Sequence, residues 1–258
     1  MEFEYKKSLG QNFIYDKDFL RALVKKLDVQ PTDIVVEVGA GMGTLTRALA
    51  ETGCQVYSVE IDQRLQSHLT KNLQSYSNVH LVFDDALTYD FSKIPNFRLI
   101  ANVPYYITTP LIMKFLAASN CYEVNVLIAD EVAQRIVELP GTSLYGALSV
   151  SCQIQADCKI LQMVPRTMFT PQPKVDSAFV CMKKNGNPYN PKLASLLKSV
   201  FAARRKTILN ALSKTLSLDK VATEKILATV GINPTCRPEQ ITPTEFAKIC
   251  ALSCEIKD

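Results

Sequence analysis

The segment at residues 34–43, IVVEVGAGMG, constrains the fold of this chain more than any other. Its first half is a nearly continuous apolar run, which is typical of a parallel β-strand covered by helices on both faces. Gly39 and Gly41 then allow a sharp turn, so a ligand can approach main-chain N–H groups without meeting a Cβ atom. The segment therefore predicts a strand–turn–helix unit with a nucleotide-like ligand at the turn.

Apolar runs and helical patterns alternate along the following part of the chain. Further strands are predicted at residues 55–59, 80–83, 98–103 and 124–128, with helices over residues 44–50, 64–73, 111–118 and 132–137. This βαβ rhythm predicts a doubly wound, mostly parallel α/β sheet. Two last β-rich runs, 159–164 and 178–182, are joined by a stretch too short and too proline-rich for a crossover helix. We expect them to form an antiparallel pair at the edge of the sheet.

A turn-rich segment at residues 185–191 indicates a domain boundary. We predict a ligand-binding domain over residues 1–185 and a small all-helical C-terminal domain over residues 186–258. From Lys192 onward the chain carries 11 basic and 6 acidic residues, a balance that suits contact with phosphates. We expect Arg204 and Arg205 to lie on a helix, where RNA contact and a merely solvated basic face are the alternatives.

The composition excludes several other classes of protein. No apolar stretch reaches the roughly 18 to 20 residues of a membrane-spanning helix, and the N-terminus lacks the apolar core of a signal peptide. The eight cysteines are scattered and form no CxxC pair, so neither a metal site nor disulfides are expected. We therefore expect a cytoplasmic protein that contacts no membrane and binds no metal.

Two acidic residues follow the second and third strands. Glu60 lies 21 positions beyond Gly39, where a carboxylate can accept hydrogen bonds from both hydroxyls of a ribose. Asp85, preferred over Asp84, could accept a hydrogen bond from an adenine amino group. The alternatives are an ordinary surface glutamate and a helix-capping aspartate. A nicotinamide cofactor fits Gly39 and Glu60 nearly as well as other nucleotides.

The fourth strand ends in ANVPYY, which distinguishes between these ligands. The lone pair of an adenine N6 amine is delocalised into the ring, so the amine attacks an electrophile poorly unless acceptors hold its hydrogens. Asn102 can supply a side-chain carbonyl, and the main-chain carbonyl of Val103 is the expected second acceptor. Pro104 stiffens this corner, because it fixes its own φ and restricts Val103.

Aromatic residues could hold the target base. Tyr105 offers a flat ring for a base that has left its helical stack, while Tyr106 is expected to pack inward. Phe169, in a loop that Pro171 and Pro173 hold extended, could clamp the other face of the base or could be a buried anchor of the loop. The N-terminal KKSLGQNF could cover the ligand, although the residues alone favour a flexible tail.

These motifs together resemble the ribosomal RNA small-subunit adenine N6,N6-dimethyltransferases, the dimethyladenosine transferase family, across nearly the whole chain. The matching strings are GQNF at residues 10–13, EVGAGMG at 37–43, VEID at 59–62, DAL at 85–87, NVPYYITTP at 102–110, FTPQPKVDSA at 169–178 and the basic RRKT at 204–207. The departures are Ile14 and Val103, and neither changes a hydrogen-bonding group.

The resemblance implies a Rossmann-like class I methyltransferase sheet and S-adenosylmethionine as the methyl donor. The donor-binding residues that it implies are Asn12, Ile14, Gly39, Glu60, Asp85 and Asn102, to which the turn adds Gly41. It also implies that Asn102 serves the target amine and that Tyr105 and Phe169 sandwich the adenine. The implied substrate is a pair of adjacent adenosines in the 3′-terminal hairpin of small-subunit rRNA, within a partly assembled subunit. We expect direct transfer by a monomer, without a covalent enzyme intermediate.

Three alternatives remain at this stage. One is the antibiotic-resistance branch of the same fold, which acts on large-subunit rRNA; the glycine of GQNF and the RRKT segment count against it. The second is a nicotinamide dehydrogenase, in which NVPYY would have no clear role. The third is a non-catalytic RNA-binding or ribosome-assembly factor, which the intact set Glu60, Asp85, Asn102 and Tyr105 makes the weaker reading.

Overall fold

The computed structural model describes Lys6 and residues 10–255. Within these residues the strands are β1 (Phe13–Ile14), β2 (Ile34–Val38), β3 (Gln55–Val59), β4 (Val79–Val82), β5 (Phe97–Asn102), β6 (Cys121–Ala129), β7 (Ala156–Val164), β8 (Phe169–Thr170) and β9 (Ser177–Lys184). The α-helices are α1 (Lys17–Lys26), α2 (Thr44–Ala50), α3 (Gln66–Leu73), α4 (Thr108–Ala117), α5 (Asp130–Val137), α6 (Ala147–Gln153), α7 (Pro191–Ala202), α8 (Ile208–Leu216), α9 (Lys220–Val230) and α10 (Pro243–Glu255).

Seven strands form the main sheet, in the order β4-β3-β2-β5-β6-β9-β7. The pairs among β4, β3, β2, β5 and β6 are parallel, and β9 runs antiparallel to β6. The predicted doubly wound sheet with an antiparallel edge strand is confirmed. Strand order reverses between β2 and β5, so the crevice beyond their carboxyl ends is the expected place for a ligand.

Helix α1 illustrates how local sequence and packing agree. The Asp16 side chain accepts a hydrogen bond from the Phe19 N–H at 2.9 Å and so caps the first turn. Leu20, Leu23 and Val24 are buried in a cluster with β2 and β3 residues. The apolar residues recur at helical spacing, and the face that they form is therefore buried.

A second, two-stranded sheet pairs β1 with β8 in antiparallel register, Phe13 with Thr170 and Ile14 with Phe169. It joins the end of the GQNF segment to the start of the FTPQP loop. No periodicity predicts this pairing, because each strand has only two residues and the two lie far apart in the sequence.

The chain forms two compact units. Among the described residues, the first consists of the chain as far as Ala133 and of Lys159–Lys184, and the second of Gln134–Cys158 and of the chain from Asn185 onward. The chain passes from the first unit to the second for the last time between residues 184 and 185, beside the predicted domain boundary. The prediction assigns residues 134–158 to the first domain, but they pack with the C-terminal helices. Tyr145 is fully buried there, and its hydroxyl donates to the Ile241 carbonyl at 2.9 Å.

The predicted helix through Arg204 and Arg205 is wrong. Helix α7 ends at Ala202 and α8 begins at Ile208, so both arginines lie in the intervening turn. Thr207 causes the break, because its extended backbone and its Oγ1, which accepts from the Asn210 N–H at 3.4 Å, cap the new helix. The Arg204 guanidinium donates to the Ser143 carbonyl at 3.1 Å, whereas Arg205 is exposed.

None of the helices in the described part of the chain has the length and apolar character that crossing a bilayer would require.

Candidate functional site

A cavity of about 900 Å³, including the solvent in its mouth, lies beyond the carboxyl ends of β2, β3 and β5 in the first unit. The predicted site residues that line it are Asn12, Gly39, Gly41, Glu60, Asp85, Asn102, Val103, Pro104 and Tyr105. Sequence reasoning therefore placed most of the proposed site in one cavity.

The glycines of the turn after β2 are required by its geometry. Gly39 and Gly41 have φ values of +82° and +55°, a region that L side chains rarely adopt. A Cβ atom on Gly41 would lie 2.5 Å from Cε1 of Phe13. The turn can therefore come this close to the N-terminal segment only because position 41 has no side chain.

Glu60 is held at the end of β3 by two main-chain donors. Its Oε2 accepts from the Gly41 N–H and its Oε1 from the Asp62 N–H, both at 2.8 Å. The side chain is almost fully buried, and burial raises the pKa of its carboxyl although these hydrogen bonds lower it. Each carboxylate oxygen can accept a second hydrogen bond, so the fixed carboxylate suits a pair of ligand hydroxyls.

Sequence reasoning missed Glu37, which lies within β2 directly behind the turn. The residue is fully buried, and its Oε2 accepts from the hydroxyls of Thr46 at 2.5 Å and Ser58 at 2.6 Å. Its Oε1 has no hydrogen-bond partner among the described residues. Burial raises the pKa of Glu37 to about 7, against these hydroxyl bonds. An acidic residue inside an otherwise apolar strand was the available signal.

Asp85 follows β4 and combines the two roles that its sequence position suggested. Its Oδ1 accepts from the Leu87 N–H at 2.8 Å, as a capping aspartate would. The same residue lines the cavity. Because only one carboxylate oxygen caps the turn, the other is available to a ligand.

Asn102 is oriented by the N-terminal segment. Its Nδ2 donates to the main-chain carbonyl of Asn12 at 2.9 Å. A carbonyl can only accept, so this contact determines which way the amide faces. The Asn102 Oδ1 is consequently the atom of the amide that is left to accept a hydrogen bond in the cavity.

The main chain beyond Asn102 carries the predicted second acceptor. The Val103 N–H donates to the Leu127 carbonyl at 3.2 Å, which continues the pairing with β6. The Pro104 carbonyl accepts from the Ile107 N–H at 3.1 Å, in the short 3₁₀ turn Tyr105–Ile107. The Pro104 carbonyl is therefore engaged, and the role of the Val103 carbonyl as the acceptor beside Asn102 stays a prediction.

The two tyrosines of NVPYY differ in their surroundings. Tyr105 is half-buried, and its hydroxyl shares a hydrogen bond of 2.8 Å with the Ser177 hydroxyl. Tyr106 is 57% exposed, so the prediction that it packs inward is wrong. A Cβ on Gly10 would lie 3.3 Å from the Tyr106 ring, which shows that the N-terminal turn occupies one side of this tyrosine.

Phe169 is not brought to the cavity. It is 4% exposed and packs in the cluster that contains Ile14 and Phe179, which matches the alternative of a buried loop anchor. Its pairing with Ile14 across β1 and β8 holds it there. The stacking role implied by the resemblance stays a prediction, and it requires the Phe169 ring to leave this cluster.

The N-terminal segment at residues 10–14 is built into the site, contrary to the expectation of a flexible tail. The Gln11 amide donates to the Asp62 Oδ2 at 2.8 Å. Thr44 donates to the Ile14 carbonyl at 2.8 Å, and the Ile14 side chain is buried in the core. Ile14 therefore does not line the cavity. Residues 7–9 of KKSL lie outside the described residues.

Two further predictions concern Arg204 with Arg205 and the binding of metal. Arg204 and Arg205 belong to the second unit, and their contact with RNA stays a prediction. In the part of the chain that the structure describes, no three His, Cys, Asp or Glu side chains are grouped so that they could hold a metal ion.

Comparisons with known proteins agree with this geometry. The profile of the ribosomal RNA adenine dimethylase family matches residues 2–253. A curated relative from Alkaliphilus oremlandii, named ribosomal RNA small subunit methyltransferase A, is 40% identical, and the alignment covers 95% of this chain and 90% of the relative.

Two solved structures have the same fold. The crystal structure of a dimethyladenosine transferase from Plasmodium falciparum is 22% identical and matches with a TM-score of 0.84, over 94% of this chain and 98% of that chain. The crystal structure of the 23S rRNA methyltransferase ErmE is 25% identical and matches with a TM-score of 0.72, over 93% and 98% of the two chains.

Replacing Gly41 with Ala should displace the N-terminal segment. The left-handed backbone costs an L residue about 1–2 kcal/mol, and the new Cβ would overlap the Phe13 ring. We expect a lower urea midpoint and faster amide hydrogen exchange at residues 13–14 and 169–170. Gly53→Ala is the matched control, because it shares the positive φ but its Cβ would only touch Pro31 at 3.5 Å. Equal exchange in both variants would contradict the packing argument.

Replacing Glu37 with Gln should change how stability depends on pH. An unfolded glutamate titrates near 4.5, whereas the buried carboxyl has a pKa of about 7, so the folded protein retains a proton that the unfolded chain loses. The free energy of unfolding should therefore fall as pH rises from 4.5 to 7, and stay level above that range. Relative to Glu37→Gln, the wild type should lose about 3 kcal/mol at most across this window.

Denaturant titrations at a series of pH values test this prediction, with Glu131→Gln at an exposed position as the control. Parallel profiles for the wild type and Glu37→Gln would show that Glu37 is ionised in the folded protein at acidic pH.

Proposed function

The chain belongs to the ribosomal RNA adenine dimethylase family, and from this premise we propose that it uses S-adenosylmethionine to dimethylate N6 of adenosine in rRNA. We propose two adjacent adenosines in the 3′-terminal hairpin of small-subunit rRNA as the target. The observation that carries this proposal is the orientation of Asn102, whose Nδ2 is held by the Asn12 carbonyl at 2.9 Å. This contact leaves an amide oxygen and the Val103 carbonyl as neighbouring acceptors at the end of β5.

The cavity suits the methyl donor on three counts. The fixed carboxylate of Glu60 provides acceptors for ribose hydroxyls, and Gly39 and Gly41 bring the main chain close without a Cβ. The free oxygen of Asp85 provides an acceptor for the adenine amine of the donor. When bound, S-adenosylmethionine supplies a methyl group on a positively charged sulfur, which reacts with a lone pair placed behind its carbon.

The acceptors at Asn102 and Val103 would make the target amine a stronger nucleophile. Two hydrogen bonds from N6 to fixed oxygens favour a pyramidal nitrogen, whose lone pair is no longer shared with the ring. Pro104 limits the backbone freedom of this corner, so the acceptors are held before the base arrives. For each methyl group that it gains, the amine releases one proton to solvent water. No nucleophilic side chain is needed, because positioning supplies the rate enhancement.

Tyr105 would position the target base by stacking. Its ring lines the cavity beside Asn102, and its hydroxyl bond to Ser177 limits rotation of the ring. A base must leave its helical stack to reach this site, and an aromatic face partly replaces the contacts that it loses. We propose that Arg204, Arg205 and other basic residues of the second unit contact RNA phosphates, a role supported by the positive charge of that region.

Two functions compete for the same geometry. The relative that is 40% identical bears the name of a small-subunit methyltransferase, which favours the small subunit. The likeness to the ErmE structure supports the large-subunit branch as the second candidate. We also propose that the protein acts in the cytoplasm, as a monomer, on an immature small subunit. These three statements rest on the sequence and on the family.

Replacing Asn102 with Ala should reduce dimethylation by about a hundredfold or more, because one of the two acceptors for the N6 hydrogens is removed. Mass spectrometry of rRNA after incubation with the donor and either small or large subunits reports the product, the site and the number of methyl groups. We expect dimethyladenosine in small-subunit rRNA alone for the wild type.

Asn72→Ala is the control for this measurement, since Asn72 lies on α3 and its side chain pairs with His68 on the same helix. A folded Asn102→Ala protein that retains activity within a few-fold of the wild type would contradict the assignment. Modification of large subunits would instead support the second candidate. Rescue of subunit maturation by Asn102→Ala would show that an assembly role is separable from catalysis.

Replacing Tyr105 with Phe should change the rate by no more than about threefold, whereas Tyr105→Ala should reduce it by about a hundredfold. The reason is that Phe keeps the ring and loses only the bond to Ser177. Single-turnover methylation of small subunits with saturating donor measures both. Equal loss in the two variants would assign the role to the hydroxyl rather than to the ring.

A further inference from the structure

The loop that carries Asp85 is a single helical turn. The N–H groups of Thr88 and Tyr89 donate to the Asp85 carbonyl at 3.0 and 2.8 Å. The Asp85 side chain caps the start of the turn through the Leu87 N–H at 2.8 Å. The carboxylate that faces the cavity is therefore part of the hydrogen bonding of residues 85–89, and its orientation depends on this turn keeping its shape.

One turn of helix leaves carbonyls at its carboxyl end without partners in the turn. Here they are bound by a side chain from α4. The Lys114 Nζ lies 2.9 Å from the carbonyl oxygens of both Ala86 and Leu87, and 2.7 Å from that of Tyr89. An ammonium group has three N–H donors, so these three carbonyls use all of them.

Two further features fit a charged group at this position. The positive charge lies at the end of the turn where carbonyl dipoles are exposed, which is the favourable end for a cation. The Nζ is also 5.0 Å from the centre of the Phe91 ring, within the range of a cation–π contact.

Burial lowers the pKa of Lys114, while the carboxylates of Asp85, Asp90 and Asp84 raise it.

We propose that Lys114 is a positioning residue for donor recognition: it fixes the turn at residues 85–89 and thereby aims the Asp85 carboxylate at the adenine of the methyl donor. This inference rests on the proposed function, because it takes Asp85 as the acceptor of the adenine amine. Lys114 lies on α4, which begins at Thr108, shortly after the Asn102–Tyr105 corner. The Lys114 side chain thus connects the donor-binding turn at residues 85–89 with α4, the helix that follows the target-binding loop.

A purely structural role for Lys114 makes a different prediction. If the ammonium only stabilised the fold, its loss would weaken every ligand of the cavity to the same degree. If it aims Asp85, its loss should weaken specifically the recognition of the 6-amino group. The two readings can be separated by comparing ligands that differ only at that group.

The experiment is a titration calorimetry cycle with S-adenosylhomocysteine and its 6-deamino analogue, in which a hydrogen atom replaces the 6-amino group and N1 stays an acceptor. For the wild type we expect the adenosyl ligand to bind about tenfold more tightly, since the deamino ligand has no N–H group to donate to Asp85. For Lys114→Met, which keeps the apolar stem, we expect adenosyl affinity to fall about tenfold and the preference between ligands to shrink below about threefold. Asp85→Ala should give the same loss of preference, and adding it to Lys114→Met should cause little further change.

Lys93→Met is the matched control, since Lys93 is an exposed lysine near the same loop, at the end of the 3₁₀ turn Phe91–Lys93. We expect both affinities of this variant to equal those of the wild type. Lys114→Arg provides a second variant that keeps the charge but presents a planar fork of donors, and it should retain an intermediate preference. In turnover assays Lys114→Met should raise KM for the donor about tenfold with a smaller change in kcat.

Several outcomes would overturn the inference. An unchanged preference in Lys114→Met and Lys114→Arg, with both ligands weakened equally, would assign Lys114 to stability alone. Wild-type affinity for both ligands in these variants would exclude any role in donor binding. A wild-type protein that binds neither ligand would refute the proposed function, and this inference with it, whereas loss confined to the variants leaves the proposed function intact. If Lys114→Met does not fold, the preference of Lys114→Arg decides between the readings.

Discussion

The hydrogen bond from the Gly41 N–H to the Glu60 carboxylate is the contact on which the rest of the site depends. It joins the turn after β2 to the end of β3, so the two strand ends form one edge of the site. That edge can form only because position 41 has no side chain, and the Phe13 ring occupies the space that a Cβ would fill. Gly41 therefore donates to the Glu60 carboxylate, allows the sharp turn of the main chain, and leaves room for Phe13 of the N-terminal segment.

Each polar group offered to a ligand has a second partner that fixes it. Glu60 is held by main-chain N–H groups, Asn102 by the Asn12 carbonyl, and Asp85 by the turn that Lys114 completes. In each case the partner occupies part of the hydrogen-bonding capacity of a residue that lines the cavity and leaves another acceptor atom without that partner. This arrangement reduces the reorganisation needed when a ligand arrives, which is the physical basis of preorganised recognition.

The N-terminal segment contributes more than a cover for the cavity. Residues 10–14 reach Asp62 through Gln11, Asn102 through the Asn12 carbonyl, and Thr44 through the Ile14 carbonyl. Because the orientation of the Asn102 amide depends on a carbonyl in this segment, order at the N-terminus and acceptor geometry at the end of β5 are coupled. Buried polar groups of this kind rigidify a site when all of them are satisfied.

The sequence by itself determined the sheet, its strand ends and most of the cavity residues, because strand periodicity, glycine turns and parallel topology are local or nearly local properties. Glu60, Asp85 and Asn102 could be found this way, since each follows a predicted strand. The family motifs added Asn12 and the identity of the donor. These patterns indicate which residues lie together at the carboxyl edge of the sheet. They do not indicate which atom of each residue is left to bind a ligand.

The tertiary structure alone decided the contacts between distant segments. In the folded protein Phe169 is buried against Ile14, and Tyr106 is exposed. The predicted helix is interrupted at Thr207, and residues 134–158 pack with the C-terminal helices. The tertiary structure also paired Lys114 with three carbonyls that no spacing rule connects to it. The physical reason is that burial and hydrogen-bond satisfaction are properties of the folded whole: a side chain takes the partner that folding brings within reach, and sequence distance does not encode that partner.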